Sequence, residues 1–396
     1  QRGPAVNPFA LFPRMIASID WIKLAPQQAL LGETLHPDPN TYPRRFDLLI
    51  VDEAHQCAPP AAGRYAVDSL RTKAIRRLAP QFEHRLFLTA TPHNGYPESF
   101  QALLELLDPQ RFARGVRPSD EQQRQAMIRR LKMELREILP PGPDGRPRFA
   151  ERKVIDLPVT LTDAEERMLE TLEEYTELRR RAATSEAAGK FVTLLLKKRF
   201  LSSPAAFHTT LQTHIETLHR ARRAGRTSER TLQEIFDRVG EDFADEAELE
   251  EATAEALAAA AAHSGTLSTY EEELLARMRA WAESNKGRAD SKATRLLEWI
   301  EEVCRPEGEW NTERVVIFTE YRDTLNYLHD LMVAKGWVEE GRVAVIHGGM
   351  DSAERNRINE EFLYDPEVTA VRVLLATDAA SEGIDLHEHC HRLVHV

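Results

Sequence analysis

Cysteine is scarce in this 396-residue chain. Cys57, Cys304 and Cys390 lie far apart and make no C-x-x-C pair, which excludes a disulfide framework and a zinc ribbon. Positive charge is in deficit, with 52 Lys and Arg against 64 Asp and Glu, a formal net charge of -12. That balance excludes a generally basic nucleic-acid-coating protein but leaves room for a local basic cleft. Long apolar runs are missing as well. The alanine tract from Ala256 to Ala262 is too short and too weakly hydrophobic to span a bilayer, and no signal peptide opens the sequence. A cytoplasmic location and no membrane partner are therefore expected. What remains is an ordinary globular composition, 42% hydrophobic and 29% charged, long enough for two or three domains.

The stretch that organises the chain is FDLLIVDEAH, Phe46 to His55. A short unbroken run of Leu, Ile and Val predicts a strand buried on both faces, as in a parallel sheet. Ligands of such sheets bind beyond the carboxyl ends of the strands, where this one delivers Asp52, Glu53 and His55. Two adjacent carboxylates there can divide one task. Asp52 can hold a phosphate-bound Mg²⁺ while Glu53 takes a proton from the attacking water. The alternative is a strand that stops at a solvated Asp-Glu pair.

A second apolar run, Leu86 to Thr89, ends in Thr89-Ala90-Thr91-Pro92. DEAH at 52 to 55 followed by LTATPHNG at 88 to 95 resembles motifs II and III of superfamily-two helicase-like ATPases, in their Swi/Snf-type branch. The resemblance implies that Asp52, Glu53 and His55 bind Mg²⁺ and activate water, and that Thr89 and Thr91 couple nucleotide state to nucleic-acid contact. RMIASIDWIK, Arg14 to Lys23, resembles motif Ib, which would bring Ser18 and Lys23 to a DNA backbone; an amphipathic connection is the other reading.

Met127 to Leu139 has helical period and carries Arg129, Arg130, Lys132 and Arg136, resembling a basic helix of the same enzymes, or else a solvated face. PPGPDGRP, Pro140 to Pro147, is the clearest linker. The expected domains are 1–140, the later part of a first RecA-like lobe; 141–150, a linker; 151–289, a helical insertion; and 290–396, the start of a second lobe. Thr162 and Glu165 form a capping box for a helix from Thr162 to Arg181. FVTLLLKKRFLSSPAAF, Phe191 to Phe207, resembles a segment of bacterial members that include the RNA-polymerase-associated recycling ATPase and the helicase of the DISARM antiphage system. The charge runs, basic from Glu216 to Arg230 and acidic from Glu241 to Glu251, read as solvated faces, with partial disorder as the other reading of the acidic one.

From Arg314 strands alternate with helices again, at 314–319, 343–346, 371–376 and 393–396, which predicts a second parallel sheet. FTEYRDTL at 318 to 325 resembles motif IV, and HGGMDSAER at 347 to 355 a turn whose glycines admit a phosphate. ATDAASEGIDL, 376 to 386, resembles motif V. The resemblance implies that Thr319, Gly348, Thr377 and Ser381 meet nucleic acid, and that Gly383 and Asp385 approach the nucleotide, facing Asp52 and Glu53. His387, Glu388 and His391 also spell H-E-x-x-H, but between a motif turn and a strand there is no room for the helix a zinc site requires.

The fold class expected is thus α/β: two RecA-like parallel-sheet lobes, the first incomplete at its N-terminus and the second at its C-terminus, with an α-helical insertion. The function implied is an ATP-dependent, Mg²⁺-dependent duplex-DNA translocase in which phosphate contacts dominate. Antiphage defence with other defence-system subunits is the role favoured from the bacterial resemblance, with association with RNA polymerase as the alternative. A non-catalytic DNA-binding scaffold and another superfamily-two helicase are the rivals. The sequence has no G-x-x-x-x-G-K-[ST] loop and no motif VI arginine, so this stretch by itself is expected to hydrolyse little ATP.

Overall fold

The computed structural model describes residues 7–35, 42, 44–59, 68–92, 97–143, 145, 147–220, 228–239, 246–378, 386 and 388–396. They form two units, Gln1–Ile155 and Asp156–Val396.

The first unit is built on two parallel strands, β1 (Leu48–Val51) and β2 (His84–Phe87), in register from Leu48 opposite His84 to Val51 opposite Phe87. Helices α1 (Leu70–Leu78) and α2 (Pro97–Leu107) cover one face. Val51, Ile75, Leu103 and Leu106 pack there with Leu49 and Phe87 at the margin. The sequence predicts burial on both faces, and the structure corrects this: Leu48 is 50% and Ile50 55% exposed. Among the described residues no second layer covers that side. The predicted helix from Met127 to Leu139 shortens to Lys132–Ile138, none of whose residues is buried. Residues 127 to 131 are not helical, which removes Arg129 and Arg130 from the expected basic face.

The second unit begins with helices. They are α3 (Asp163–Ala182), α4 (Glu186–Ser202), α5 (Pro204–Arg220), α6 (Glu229–Val239), α7 (Glu246–Ala262) and α8 (Thr269–Asn285). Thr162 and Glu165 make the predicted capping box, and Ser203 and Pro204 break α4 from α5. Leu172, Leu196, Phe207, Leu211, Leu257 and Leu274 are enclosed in their shared core.

A four-stranded parallel sheet follows: β3 (Val315–Thr319), β4 (Val343–Ile346), β5 (Val373–Thr377) and β6 (Arg392–His395), in the order β4-β5-β3-β6. Every residue of β3 and β5 is buried, as central strands covered on both faces must be. Alternate side chains divide between two cores. Val315, Ile317, Val373 and Leu375 meet α9 (Ser291–Cys304) and α10 (Arg322–Ala334). Val316, Phe318, Leu374 and Ala376 meet α11 (Ser352–Leu363) through Ile358 and Phe362. The carboxyl ends of β3, β4 and β5 consequently lie along one edge of the sheet, carrying Thr319, the turn after Ile346 and Thr377.

Candidate functional site

In the first unit, the chain leaves β1 through a left-handed residue. Glu53 has φ 45° and ψ 47°, and among the described residues it is the one non-glycine with positive φ. A left-handed carboxylate residue costs roughly 1–2 kcal/mol, a strain that concentrates at functional sites. Its amide is held by Asp52 Oδ1 at 3.0 Å. Two further bonds lock the end of β1 to the end of β2: Leu88 N–H donates to Val51 O at 2.8 Å, and Ala54 N–H to Leu88 O at 2.9 Å.

His55 then joins the two motifs. Its Nδ1 lies 3.0 Å from Thr89 Oγ1 and 3.1 Å from Glu53 Oε2. The Thr91 amide donates to the same Thr89 hydroxyl at 3.1 Å. The structure therefore brings Glu53, His55, Thr89 and Thr91 into one chain of contacts, with the exposed Asp52 beside it. Cys57, just beyond, is buried, and burial pushes its thiol up to about 12, so it has no nucleophilic part here.

Ser18 and Lys23 are committed within the chain. The Ser18 hydroxyl accepts from Asp20 N–H at 3.2 Å, and the Lys23 ammonium lies 2.7 Å from Asp20 Oδ1. Asp20 also takes a bidentate pair from the buried Arg71, at 2.8 and 3.0 Å. A phosphate at Lys23 has to compete with that carboxylate.

In the second unit, Thr319 is buried and donates to Tyr321 O at 3.3 Å, which turns its hydroxyl into the sheet edge. Gly348 and Thr377 are brought together by a residue that the sequence reading left on a solvated acidic face. Glu246 Oε1, on the first turn of α7, accepts from Gly348 N–H at 2.9 Å and from the Thr377 hydroxyl. Glu246 is buried. Burial by itself raises a carboxyl, yet the hydrogen bonds from Thr377, the Gly348 amide and its own backbone, with His347 nearby, hold Glu246 below the usual range. No local periodicity signals this contact, because the partners are more than a hundred residues apart.

Ser381, Gly383 and Asp385 lie outside the described residues. Of the H-E-x-x-H string, residues 388 and 389 form a turn, and His391 Nε2 stands 3.6 Å from Glu313. A cavity of about 510 Å³ opens between the starts of α3 and α9 and the end of α8, lined by Arg288, Ser291 and Thr294 among others. It holds none of the predicted site residues.

Residues 295–394 match the helicase conserved C-terminal domain. All four strands of the second sheet lie within that match, save the last residue of β6. Over 108 residues the chain is 38% identical to the RNA polymerase-associated protein RapA of Actinobacillus pleuropneumoniae serotype 7 (strain AP76), covering 27% of this chain and 10% of that protein. The match thus spans about a tenth of the length of the curated relative. Among solved structures, the Pyrococcus furiosus Hef helicase domain superposes with a TM-score of 0.37 at 15% identity, over 93% of this chain and 67% of that one. The Sulfolobus solfataricus SWI2/SNF2 ATPase core, solved in complex with dsDNA, gives 0.30 at 15%, over 88% and 64%. The domain match and the RapA similarity support kinship with the superfamily-two helicase-like ATPases, and the α/β fold rests on the strand order itself.

Proposed function

We infer that this chain is part of an ATP-driven motor that moves along duplex DNA. The observation that carries the reading is the helicase domain match over 295–394, on a parallel sheet whose edge presents Gly348 and Thr377. Small donors at strand ends are what a phosphate backbone requires.

In this reading the first unit supplies the hydrolytic groups. Asp52 fits a hard cation: it is an exposed carboxylate at a strand's carboxyl end, with one oxygen already oriented by the Glu53 amide. Mg²⁺ bound with ATP would neutralise charge on the phosphates. Glu53 accepts the proton of the attacking water, and its left-handed backbone together with His55 fixes where the carboxylate points. His55 also touches Thr89, so a change at Glu53 is passed to the motif after β2. The helical part, α3 to α8, is read as an insertion between two sheet lobes.

Two roles follow from the same machine. The RapA similarity favours association with RNA polymerase, while the resemblance of the SSPAAF segment, Ser202 to Phe207, is what supports an antiphage role. ATP turnover of the full-length protein, with duplex DNA, single strands and RNA as activators, tests the motor reading. Duplex DNA is expected to stimulate most, and Glu53→Gln to keep ATP binding while abolishing turnover. Unchanged turnover in that variant removes Glu53 from the reaction, and stimulation by RNA alone removes the duplex substrate. Co-purification with purified RNA polymerase separates the two roles.

A further inference from the structure

Two groups that the nucleic-acid reading assigns to a phosphate are already occupied by an acid of the same chain. Glu246 Oε1 receives both the Gly348 amide and the Thr377 hydroxyl, the geometry a phosphate oxygen would adopt between them. We propose that Glu246 is an intrachain competitor for nucleic acid: its carboxylate plugs the Gly348–Thr377 cradle, and a strand binds only by displacing the first turn of α7. This rests on the reading of that edge as a nucleic-acid site.

The way α7 is attached makes the displacement feasible. Its later half is anchored by Ala256, Leu257, Ala260 and Ala261 in the helical core. Ahead of the buried Ala252 and Thr253, its first turns meet polar groups that are incompletely satisfied. Glu246 Oε2 is buried with no hydrogen-bond partner among the described residues. One turn later Glu250 borders a cavity of about 110 Å³ with Arg199 and Asp323. Arg199 is buried against the Tyr321 ring, 3.7 Å away, yet its Nε has no partner among the described residues, and neither has Asp323 Oδ2. Glu250 itself is exposed, and burial of part of its carboxyl with the neighbouring Asp323 pushes it upward against the pull of Arg199 and Arg322. An apolar anchor with a poorly satisfied polar end is a helix that can lift at that end.

Duplex-DNA binding by the whole chain, read by fluorescence anisotropy, tests the proposal with Glu246→Ala and Glu246→Gln. If the plug is in place about 90% of the time, its removal tightens apparent affinity roughly ten-fold, because only the open fraction binds. Glu246→Gln keeps the side chain's shape without its charge, so it is expected between the two and carries the comparison should Glu246→Ala melt early. Hydrogen exchange at the Gly348 amide without DNA is the independent readout, and it is expected to quicken in Glu246→Ala. Equal DNA affinity in wild type and both variants overturns the competition. Unchanged exchange at Gly348 shows that the contact does not form and overturns it too. Faster exchange with no DNA binding by any form rejects the nucleic-acid reading of the edge, and the competition with it.

Discussion

Lowering pH should loosen the helical part of the second unit through a single imidazole. His214, on α5, is 1% exposed, with its Nε2 2.7 Å from the Tyr175 hydroxyl. Burial, and then the positive Arg179, push its pKa from 6.5 down to about 3. In the unfolded chain the same ring titrates near its ordinary value, so between those two pH values the unfolded state binds the extra proton. Stability from this group is therefore complete above about pH 6.5 and is lost as pH falls toward about 3. From about pH 7 to about pH 4.5 the loss works out at roughly 2.5 kcal/mol, and any folded-state value below about 4 gives nearly the same figure. Urea unfolding followed by helical circular dichroism at both pH values, in wild type and His214→Gln, isolates the term because the other titrating groups cancel in the difference. Wild type should lose about 2.5 kcal/mol more than the variant. Parallel losses in the two proteins would mean that His214 takes up its proton inside the fold, and would refute the account.

The two other predictions concern the sheet edges. Arg314 is buried without a carboxylate partner among the described residues and donates to Val371 O at 3.3 Å, Tyr364 O at 2.7 Å, Thr369 Oγ1 at 2.6 Å and also to Phe362 O. Arg314→Met leaves these acceptors inside the fold unpaired, so a loss of roughly 3–5 kcal/mol is expected. For a unit of this size that is a fall of about 10 °C in melting temperature; a fall of about 2 °C or less would show that the loop from 364 to 372 finds other donors. Thr89→Val removes the hydroxyl shared by His55 and Thr91. One such bond is worth about 1 kcal/mol, so ATP turnover of the full-length protein should drop roughly five-fold with ATP affinity unchanged. Wild-type turnover would separate Thr89 from the hydrolytic groups.

The second sheet was legible because its strands are apolar on every residue and are separated by periodic helices: VVIFT and VLLAT can only be central strands. The same rule misjudged LLIV, since an apolar run does not reveal how many layers cover it, and Leu48 and Ile50 remain exposed. Period also misjudged the stretch from Met127 to Leu139. Leu131 offers no side-chain cap and the helix buries no residue, so nothing holds an additional N-terminal turn in place. The capping box at Thr162 was readable because both halves of it lie within four residues. Glu246 was not readable, because what gives it meaning is the meeting of a helix start with two strand ends far away in sequence.

That meeting bears on how an acidic chain could hold DNA at all. A net charge of -12 repels a polyanion at long range, so affinity depends on the local groups a strand would meet. The Gly348 amide and the Thr377 hydroxyl are neutral donors, and a neutral donor binds a phosphate without the counterion exchange that makes lysine contacts salt-sensitive. Lys23, the cation expected at the first unit's backbone contact, is paired with Asp20, and Glu246 sits on the neutral donors themselves. Lys23, Gly348 and Thr377 are therefore each held by a carboxylate of the chain. If strand binding exchanges a carboxylate for a phosphate at each of them, local charge changes little. The interaction would then be governed by whether the two acids can move aside, and for Glu246 that movement falls to α7, apolar in its later half and poorly satisfied at its first turn.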